Sequence, residues 1–282
     1  MKIAISAAET SGDLIASSLV KSLKSYRPDY EIEGLAGDKM TEVGCKRLWH
    51  ADQVNVMGFS EVVKKLPSVL GLRKSIIRHY SSNRPDIFIG VDSPDFNFKI
   101  ERELKQLGVK TIHLVSPSVW AWREERVFTV AKACHRVLAL LPFELPYYER
   151  HQIPATFVGH PLADAIPGDL TLKHARERLQ LNDQPVLALL PGSRAMEVKQ
   201  LGADFLAAAA LMQARYPQLQ LILAAANIPR QKQLHALVQA HPTLKVSIVL
   251  GESHLVLAAA DVVLVASGTA TLEALLFEKP ML

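Results

Sequence analysis

Short, nearly continuous apolar runs alternate along the chain with longer segments whose apolar residues recur at helical spacing. Because a strand buried on both faces shows no polar alternation, this pattern indicates parallel sheets covered by helices on both sides. The runs predict strands at Lys2–Ala7, Ile32–Leu35, Ile87–Val91, Lys110–Val115, Val137–Leu141 and Thr156–Val158, and then at Val186–Leu190, Gln220–Ala224, Val246–Leu250 and Val262–Val265.

A segment with little periodicity, Pro161–Leu172, separates the two series of strands. We therefore predict two doubly wound α/β domains, residues 1–165 and 166–282, with a cleft between them. The last residues, Lys279–Leu282, are typical of the start of a further strand. A natural chain seldom stops inside such a run, so the second domain is expected to be incomplete and the chain to be a fragment.

Carboxylates follow two strands of the first domain, and ligands of such sheets bind beyond the carboxyl ends of the strands. Asp92 follows Ile87–Val91, and Glu9 follows Lys2–Ala7. Asp92 is a candidate general base, although it could merely cap a turn, and Asp95 is a rival with the same placement. Glu9 is the second candidate catalytic residue, which could orient the acceptor or support the base, and its simpler alternative is to complement a helix N-terminus. Candidates for substrate contact are Ser11, Asp95, Trp120 and His160, although packing is the commoner role of a large aromatic such as Trp120 and a structural role the commoner one for His160.

Two turns of the second domain have the features of phosphate sites. Pro191–Arg194 follows a predicted strand and precedes a helical segment, so free backbone N–H groups and a helix N-terminus point to one place, where Arg194 adds a permanent charge. A second turn, Ser267–Thr269, follows Val262–Val265. A surface arginine and an ordinary N-cap are the simpler alternatives. Together the turns predict a nucleotide diphosphate held by Gly192, Ser193, Arg194, Ser267, Gly268 and Thr269.

The segment Phe59–Tyr80 is amphipathic, and its charged residues are basic except for Glu61. Pro67 is predicted to split it into two helices. A basic amphipathic segment indicates binding to a membrane surface, whereas the commoner alternative is a core-facing helix with a solvated basic face. The apolar residues proposed for membrane or acyl-chain contact are Val62, Val63, Leu66, Val69 and Leu70.

Composition narrows the classes of partner. The chain of 282 residues is 49% apolar, which is enough to bury a core, and its net charge of +4 suits anionic substrates or an anionic membrane surface. No basic run is interleaved with aromatic residues, so nucleic acid is not expected. Cys45 and Cys134 predict reduced thiols in a cytoplasmic protein. The sequence shows no signal peptide, apolar membrane span or metal-ligand spacing, so we expect a soluble protein without a metal.

Five blocks of residues, in unbroken order along the chain, resemble the lipid-A-disaccharide synthase family. The block 116–123, which places two tryptophans in a strand-end loop, is the most specific of them. The resemblance runs from residue 1 to the last residue. The blocks are Glu9–Asp13, Gly90–Asn97, Ser116–Arg123, Leu189–Arg194 and Ala266–Glu273.

The resemblance implies the GT-B fold and an inverting glycosyltransferase that needs no metal and no cofactor. Such an enzyme transfers 2,3-diacylglucosamine from UDP to the 6-hydroxyl of 2,3-diacylglucosamine 1-phosphate (lipid X). The products are the β-1,6-linked disaccharide 1-phosphate, a precursor of lipid A, and UDP. The resemblance also implies a peripheral position on the inner face of the cytoplasmic membrane, and it leaves a homodimer open.

Roles of single residues follow from the resemblance. Asp92 takes the general-base role, and Glu9 matches a family position near the acceptor. Arg194 and the turn before it take the UDP pyrophosphate, while Glu273, one helical turn beyond Thr269, takes the ribose hydroxyls. The family also places a membrane patch in the segment corresponding to Phe59–Tyr80.

Two other interpretations stay open at this point. A UDP-sugar epimerase has the same two-domain architecture but transfers nothing, and it would lack the Phe59–Tyr80 patch and the Ser116–Arg123 block. A truncated, non-catalytic remnant could still bind acceptor or membrane.

Overall fold

The chain forms two compact units, Met1–Pro161 and Leu162–Leu282. This computed structural model describes residues 1–54, 59–121, 124–166 and 169–282, except for the side chains of residue 10 and residues 59–65. The division lies at the N-terminal end of a short helix, Pro161–Ala165, whereas the sequence places the boundary at the C-terminal end of the same helix. Each unit contains its own parallel sheet.

The first unit contains a parallel sheet that, in the described residues, has seven strands in the order β3-β2-β1-β4-β5-β6-β7. The chain therefore runs outward from β1 in one direction and later returns to pair β4 with the other side of β1. The strands are β1 Lys2–Ala7, β2 Glu31–Ala36, β3 Lys46–His50, β4 Ile87–Val91, β5 Lys110–Leu114, β6 Arg136–Ala139 and β7 Ala155–Phe157.

Helices connect these strands, and their buried residues recur at helical spacing. In the helix that follows β4, the buried positions are Phe96, Asn97, Ile100, Glu101 and Leu104, and Pro94 occupies the first turn, where its missing N–H costs nothing. The helices are α1 Thr10–Tyr26, α2 Asp38–Glu42, α3 Phe59–Ser82, α4 Pro94–Gln106, α5 Arg126–Ala133 and α6 Leu145–Glu149, followed by α7 Pro161–Ala165 at the unit boundary.

The structure of this unit differs from the sequence predictions in two places. Strand β3 was not predicted, because it is an edge strand that begins with the exposed charged residues Lys46 and Arg47. Pro67 does not split its segment, since α3 is one helix with Pro67 inside it. An interior proline costs about 3 kcal/mol. Beyond Pro67 the helix buries Ile76 and Tyr80 in the core, and this packing opposes that cost.

The second unit contains a parallel sheet with the order β10-β9-β8-β11 in the described residues. The final residues of the chain begin to pair with its edge, because Met281 bridges Val263 in parallel. The strands are β8 Val186–Leu190, β9 Gln220–Ala225, β10 Val246–Leu250 and β11 Val262–Val265, and the helices are α8 Leu172–Arg178, α9 Ala195–Arg215, α10 Ile228–Gln239, α11 Ser253–Ala259 and α12 Thr269–Leu276.

Both sheets are covered on both faces, as the continuous apolar strands predicted. In β1, Ile3 and Ile5 belong to one buried cluster while Ala4 belongs to another. Likewise Val186 and Leu187 of β8 enter different clusters. Successive side chains of a strand point to opposite faces, so each strand supplies two cores.

Candidate functional site

Both sheets have a topological switch point, which is a pair of neighbouring strands from which the chain continues toward opposite edges of the sheet. In the first unit this point lies between β1 and β4, and in the second between β8 and β11. The strands end level with each other, since Ala7 pairs with Val91 and Leu190 pairs with Val265. Ligands of doubly wound sheets bind in the crevice beyond such strand ends. Each unit therefore has one candidate site.

In the first unit, the structure brings Glu9 and the Asp92 loop together. Glu9 immediately precedes α1 and is exposed. Its Oε1 accepts a 2.8 Å hydrogen bond from Ser93 Oγ, the residue after Asp92. The side chain of Glu9 therefore joins the loop after β1 to the loop after β4 and does not act only as a charge at the start of α1.

Asp92 sits in an unusual backbone conformation. Its φ is +53° and that of Ser93 is +42°, in the left-handed region that non-glycine residues seldom adopt. The Asp92 N–H donates to Leu114 O at 2.9 Å, and the side chain of Asn97 donates to Asp92 O at 2.9 Å. Asp92 is partly buried. A residue with an unusual backbone conformation, anchored through its own N–H and C=O at a switch point, is typical of a functional site.

Asp95 is placed differently from Asp92. Its side chain is 97% exposed at the start of α4, 3.5 Å from the guanidinium of Arg126. A solvated carboxylate in this position complements the helix N-terminus. The geometry therefore favours Asp92 over Asp95 as the base.

The three other candidates of this unit have different surroundings. Ser11 is partly buried in the first turn of α1. Trp120 is 44% exposed and packs edge-on against Phe143, with ring centroids 5.2 Å apart. His160 is half-buried, and burial lowers its pKa, which favours the neutral imidazole. Trp122 and Arg123, which belong to the same sequence block as Trp120, lie outside the described residues.

In the second unit, all seven residues predicted for the donor line one cavity of about 280 Å³. The turn after β8 contributes one wall and the turn after β11 with the start of α12 contributes the other. Ser253, Glu197 and the alanines at the end of β9 complete the lining. The predicted lining residues are Gly192, Ser193, Arg194, Ser267, Gly268, Thr269 and Glu273.

The N–H groups of the first turn already have an acceptor within the chain. Glu197 Oε2 accepts from Ser193 N at 3.0 Å and from Arg194 N at 3.1 Å, and Glu197 Oε1 pairs with the Arg194 guanidinium at 2.9 Å. A Cβ at Gly192 would overlap the side chain of Glu197. Burial raises the pKa of Glu197, but the hydrogen bonds from Arg194 and Ser193 outweigh it and the net shift is downward. The carboxylate thus fixes the turn and orients Arg194.

Glu273 lies on α12 at the inner wall of the cavity. Burial raises the pKa of its carboxyl above the usual range, and His254, with Nε2 3.8 Å from Oε1, opposes that shift. The His254 ring also packs against Phe277, with centroids 5.6 Å apart. A partly desolvated carboxylate is a strong hydrogen-bond acceptor for hydroxyl groups.

Several residues of these sites were not predicted as such. Glu197 occupies the third position of α9, where a glutamate commonly caps a helix, and this spacing is visible in the sequence. Asn97 is buried under the Asp92 loop, and its signal is a polar residue on the apolar face of α4. His254 carries no sequence signal, because only the fold brings it to Glu273.

The described residues contain no group of three or more histidine, cysteine, aspartate or glutamate side chains placed to hold a metal ion. They also contain no helix that is long and apolar enough to cross a membrane.

Two doubly wound parallel-sheet units with switch-point sites place the chain in the GT-B class, as predicted from the sequence. A UDP-GlcNAc 2-epimerase from Neisseria meningitidis bound to UDP-GlcNAc aligns with a TM-score of 0.64 at 13% identity, covering 100% of this chain and 82% of that one. A glycosyltransferase from Rickettsia africae aligns with a TM-score of 0.55 at 13% identity, covering 99% and 78%. At such identities the likeness shows the fold alone.

The chain belongs to the lipid-A-disaccharide synthase family of glycosyltransferases. The family model described as lipid-A-disaccharide synthetase matches residues 3–282. Lipid-A-disaccharide synthases from Pseudoalteromonas translucida and Pseudomonas aeruginosa are 47% and 45% identical to it, and the alignments cover 100% of this chain and 74% and 75% of those relatives. The resemblance stated from the sequence blocks is confirmed. Family membership favours a synthase over an epimerase of the same fold.

Proposed function

We propose that this chain transfers 2,3-diacylglucosamine from UDP to the 6-hydroxyl of 2,3-diacylglucosamine 1-phosphate. The products are the β-1,6 disaccharide 1-phosphate and UDP. One observation carries the proposal: the seven residues expected to hold the UDP moiety line a single cavity at the β8/β11 switch point. The synthases among its relatives give the reaction class.

Asp92 acts as the general base in this proposal. Its carboxylate accepts the proton of the acceptor 6-hydroxyl while that oxygen attacks the anomeric carbon of the donor and the bond to the UDP oxygen breaks. The attack comes from the face opposite the leaving group, so the configuration inverts. Glu9, joined to Ser93 by its hydrogen bond, orients the acceptor beside Asp92.

The second unit stabilises the leaving group. Negative charge develops on the pyrophosphate, and Arg194 neutralises it. Since Glu197 already accepts from two N–H groups of the first turn, the pyrophosphate uses the remaining guanidinium N–H groups, the Ser193 hydroxyl and the N-terminal turn of α12. Ser267 and Gly268 directly precede that helical turn and Thr269 begins it, and Glu273 accepts from the ribose hydroxyls.

The acceptor is held by the first unit. Trp120, exposed and braced by Phe143, offers an aromatic surface against the apolar face of a sugar ring. Ser11 and His160 are proposed as polar contacts. The enzyme acts at the inner face of the cytoplasmic membrane, where the acyl chains of both substrates are embedded.

The test of this function is a turnover assay. The chain is incubated with UDP-diacylglucosamine and lipid X in mixed micelles, and UDP and the disaccharide are quantified. Appearance of both in equal amounts supports the proposal. A parallel incubation with UDP-GlcNAc alone tests the epimerase alternative, because a C2 epimer formed without release of UDP would contradict it. Binding of acceptor or membrane without any turnover would support a non-catalytic role.

Uridine affinity is expected to fall as the pH is lowered. Burial raises the pKa of Glu273 above its usual range, and only the ionised carboxylate accepts from both ribose hydroxyls, so binding weakens as the pH falls through that raised pKa. We expect a loss of about tenfold, the equivalent of one charge-assisted hydrogen bond. NMR titration with uridine at each pH measures this loss of affinity. Uridine is used because it carries no phosphate, whose own charge would change with pH. Glu273→Gln should bind uridine weakly at every pH, and a parental pH response in that variant would contradict the assignment.

Helix α3 supplies the membrane contact in this proposal. Leu66 is 49% exposed and Leu70 is partly buried, whereas Val69 packs against the core. The side chains of Val62 and Val63 lie outside the described residues. Of the proposed membrane-contact residues whose side chains are described, Leu66 and Leu70 are therefore the two that we expect to contact the membrane.

Replacing Leu66 and Leu70 together by serine is expected to lower binding to anionic vesicles by about tenfold, because apolar surface no longer enters the headgroup region. Sedimentation with phosphatidylglycerol-containing vesicles measures the bound fraction. The matched control is Leu211→Ser, at a leucine that is 75% exposed on α9. Equal sedimentation of the parent and the double variant would show that α3 does not bind the membrane.

A further inference from the structure

Glu101 and His113 form a completely buried polar pair in the first unit. Both side chains are 0% exposed, and His113 Nδ1 lies 2.7 Å from Glu101 Oε1. The second oxygen of Glu101 and Nε2 of His113 have no hydrogen-bond partner among the described residues. Ionisable groups at zero exposure are costly to bury, and apolar residues of the same volume would often stabilise a fold better. The pair therefore calls for a role other than stability.

The pair lies directly beneath the Asp92 loop. A Cβ at Gly90, two residues before Asp92, would overlap Glu101 Oε1, so the missing side chain lets the carboxylate lie against β4. His113 is the β5 residue before Leu114, whose carbonyl accepts the Asp92 N–H at 2.9 Å. The Phe98 ring, with its centroid 4.6 Å from that of His113, packs against the imidazole. The hydrogen bond thus joins α4 to β5 next to the strand that carries Asp92.

Asn97 makes a second connection one helical turn earlier on the same face of α4. Its amide donates to Val91 O at 3.1 Å and to Asp92 O at 2.9 Å, and its oxygen accepts from Ser6 Oγ at 2.7 Å. Helix α4 is therefore tied to β1, β4 and β5 by two buried polar residues. Asp92 is held by a carbonyl of β5 on one side and by an amide of α4 on the other.

A loop with two successive left-handed, non-glycine residues persists only when its surroundings over-determine it. We propose that Glu101 and His113 are positioning residues, which hold α4 and β5 in register so that Asp92 keeps one productive orientation toward the acceptor hydroxyl. They touch no substrate and act through Asn97, Leu114 and the backbone of the loop. The inference rests on the proposed base role of Asp92.

A double-mutant cycle tests the inference by turnover. Glu101→Leu, which removes both acceptor oxygens at similar volume, is expected to lower kcat by about 10- to 100-fold with KM unchanged, because small displacements of a catalytic group cost that much. In an Asp92→Asn background the same substitution should change the residual kcat by less than about twofold, since the orientation of a base no longer matters. Equal losses in both backgrounds would mean a merely structural role and would overturn the inference.

Matched variants separate the buried pair from a general effect of charge or packing. Glu103→Leu, on the outer side of α4 where Glu103 pairs with Lys99 at 2.6 Å, should keep the parental kcat. His113→Asn, whose amide can keep the hydrogen bond to Glu101, should keep most of the parental kcat, whereas His113→Leu should lose as much as Glu101→Leu. A loss in His113→Asn equal to that in His113→Leu would contradict the role of the hydrogen bond.

A second measurement needs no turnover, so failure of the proposed reaction and failure of this inference can be told apart. Hydrogen exchange of the Asp92 amide, which donates to Leu114 O, should be about tenfold faster in Glu101→Leu, while amides of β8 and β11 in the second unit exchange at parental rates. Parental exchange at Asp92 would overturn the inference whether or not the chain is active. Faster exchange in both units would indicate general destabilisation and would also contradict it.

Discussion

Replacing Asp92 by asparagine is expected to lower kcat by about 10²- to 10⁴-fold, the range that a general base contributes. Asparagine has nearly the same shape, so the left-handed loop and its hydrogen bonds to Asn97 and Leu114 should survive. The amide cannot take the proton of the attacking hydroxyl. The affinity for UDP should stay at the parental value, because the cavity proposed to bind UDP lies in the second unit.

Turnover and UDP affinity are measured side by side, by disaccharide formation and by calorimetry. The matched control is Asp95→Asn, which removes the same charge three residues away, where the side chain is 97% exposed. Asp95→Asn should retain most of the activity. If it is the inactive variant and Asp92→Asn turns over normally, the two aspartates have been assigned the wrong way round.

Much of the fold could be predicted because strands buried on both faces leave an unmistakable apolar run. Val186–Leu190 is such a strand, and its five residues are all buried. Strand β3 has no such run, because Lys46 and Arg47 at the sheet edge remain in water. At Pro67 the local rule for helix breaking was overridden by tertiary packing, which no single segment displays.

The site residues that could be predicted are those that directly follow the end of a strand. The turns after β8 and β11 meet at one cavity because parallel neighbours end at the same edge of the sheet. The partners that hold these residues could not be predicted, since the sequence does not show which distant side chains become neighbours. Glu9 reaches Ser93 and Asn97 reaches Ser6 across more than eighty residues of chain.

The Glu197 contact changes the interpretation of the first phosphate turn. The sequence offered the free N–H groups of Ser193 and Arg194 as donors to a phosphate. In the structure both N–H groups donate to the Glu197 carboxylate. The proposed binding of an anion at this turn therefore rests on the side chain of Arg194, which is 60% exposed, more than on the backbone of the turn. The effect of replacing that side chain should be correspondingly large.

Arg194→Ala is expected to weaken UDP binding by about 10- to 100-fold. Two effects add. The pyrophosphate loses a charge-assisted hydrogen bond worth about 1.5–3 kcal/mol. The Glu197 carboxylate also loses its ion-pair partner in the cavity, so its negative charge repels the ligand. Calorimetry with UDP at constant ionic strength measures the change, because salt screens both effects.

The matched control for this variant is Arg215→Ala, at the other end of the same helix, about 30 Å away along α9. It removes the same charge from the same unit, so it should leave UDP affinity within about twofold of the parent, since a charge so far away is screened. Thermal unfolding of both variants shows whether α9 stays folded, since Glu197 still caps its first turn through the two backbone N–H groups. If Arg194→Ala binds UDP as the parent does, the pyrophosphate is held by the turn after β11 alone, and the charge of Arg194 serves only to hold Glu197.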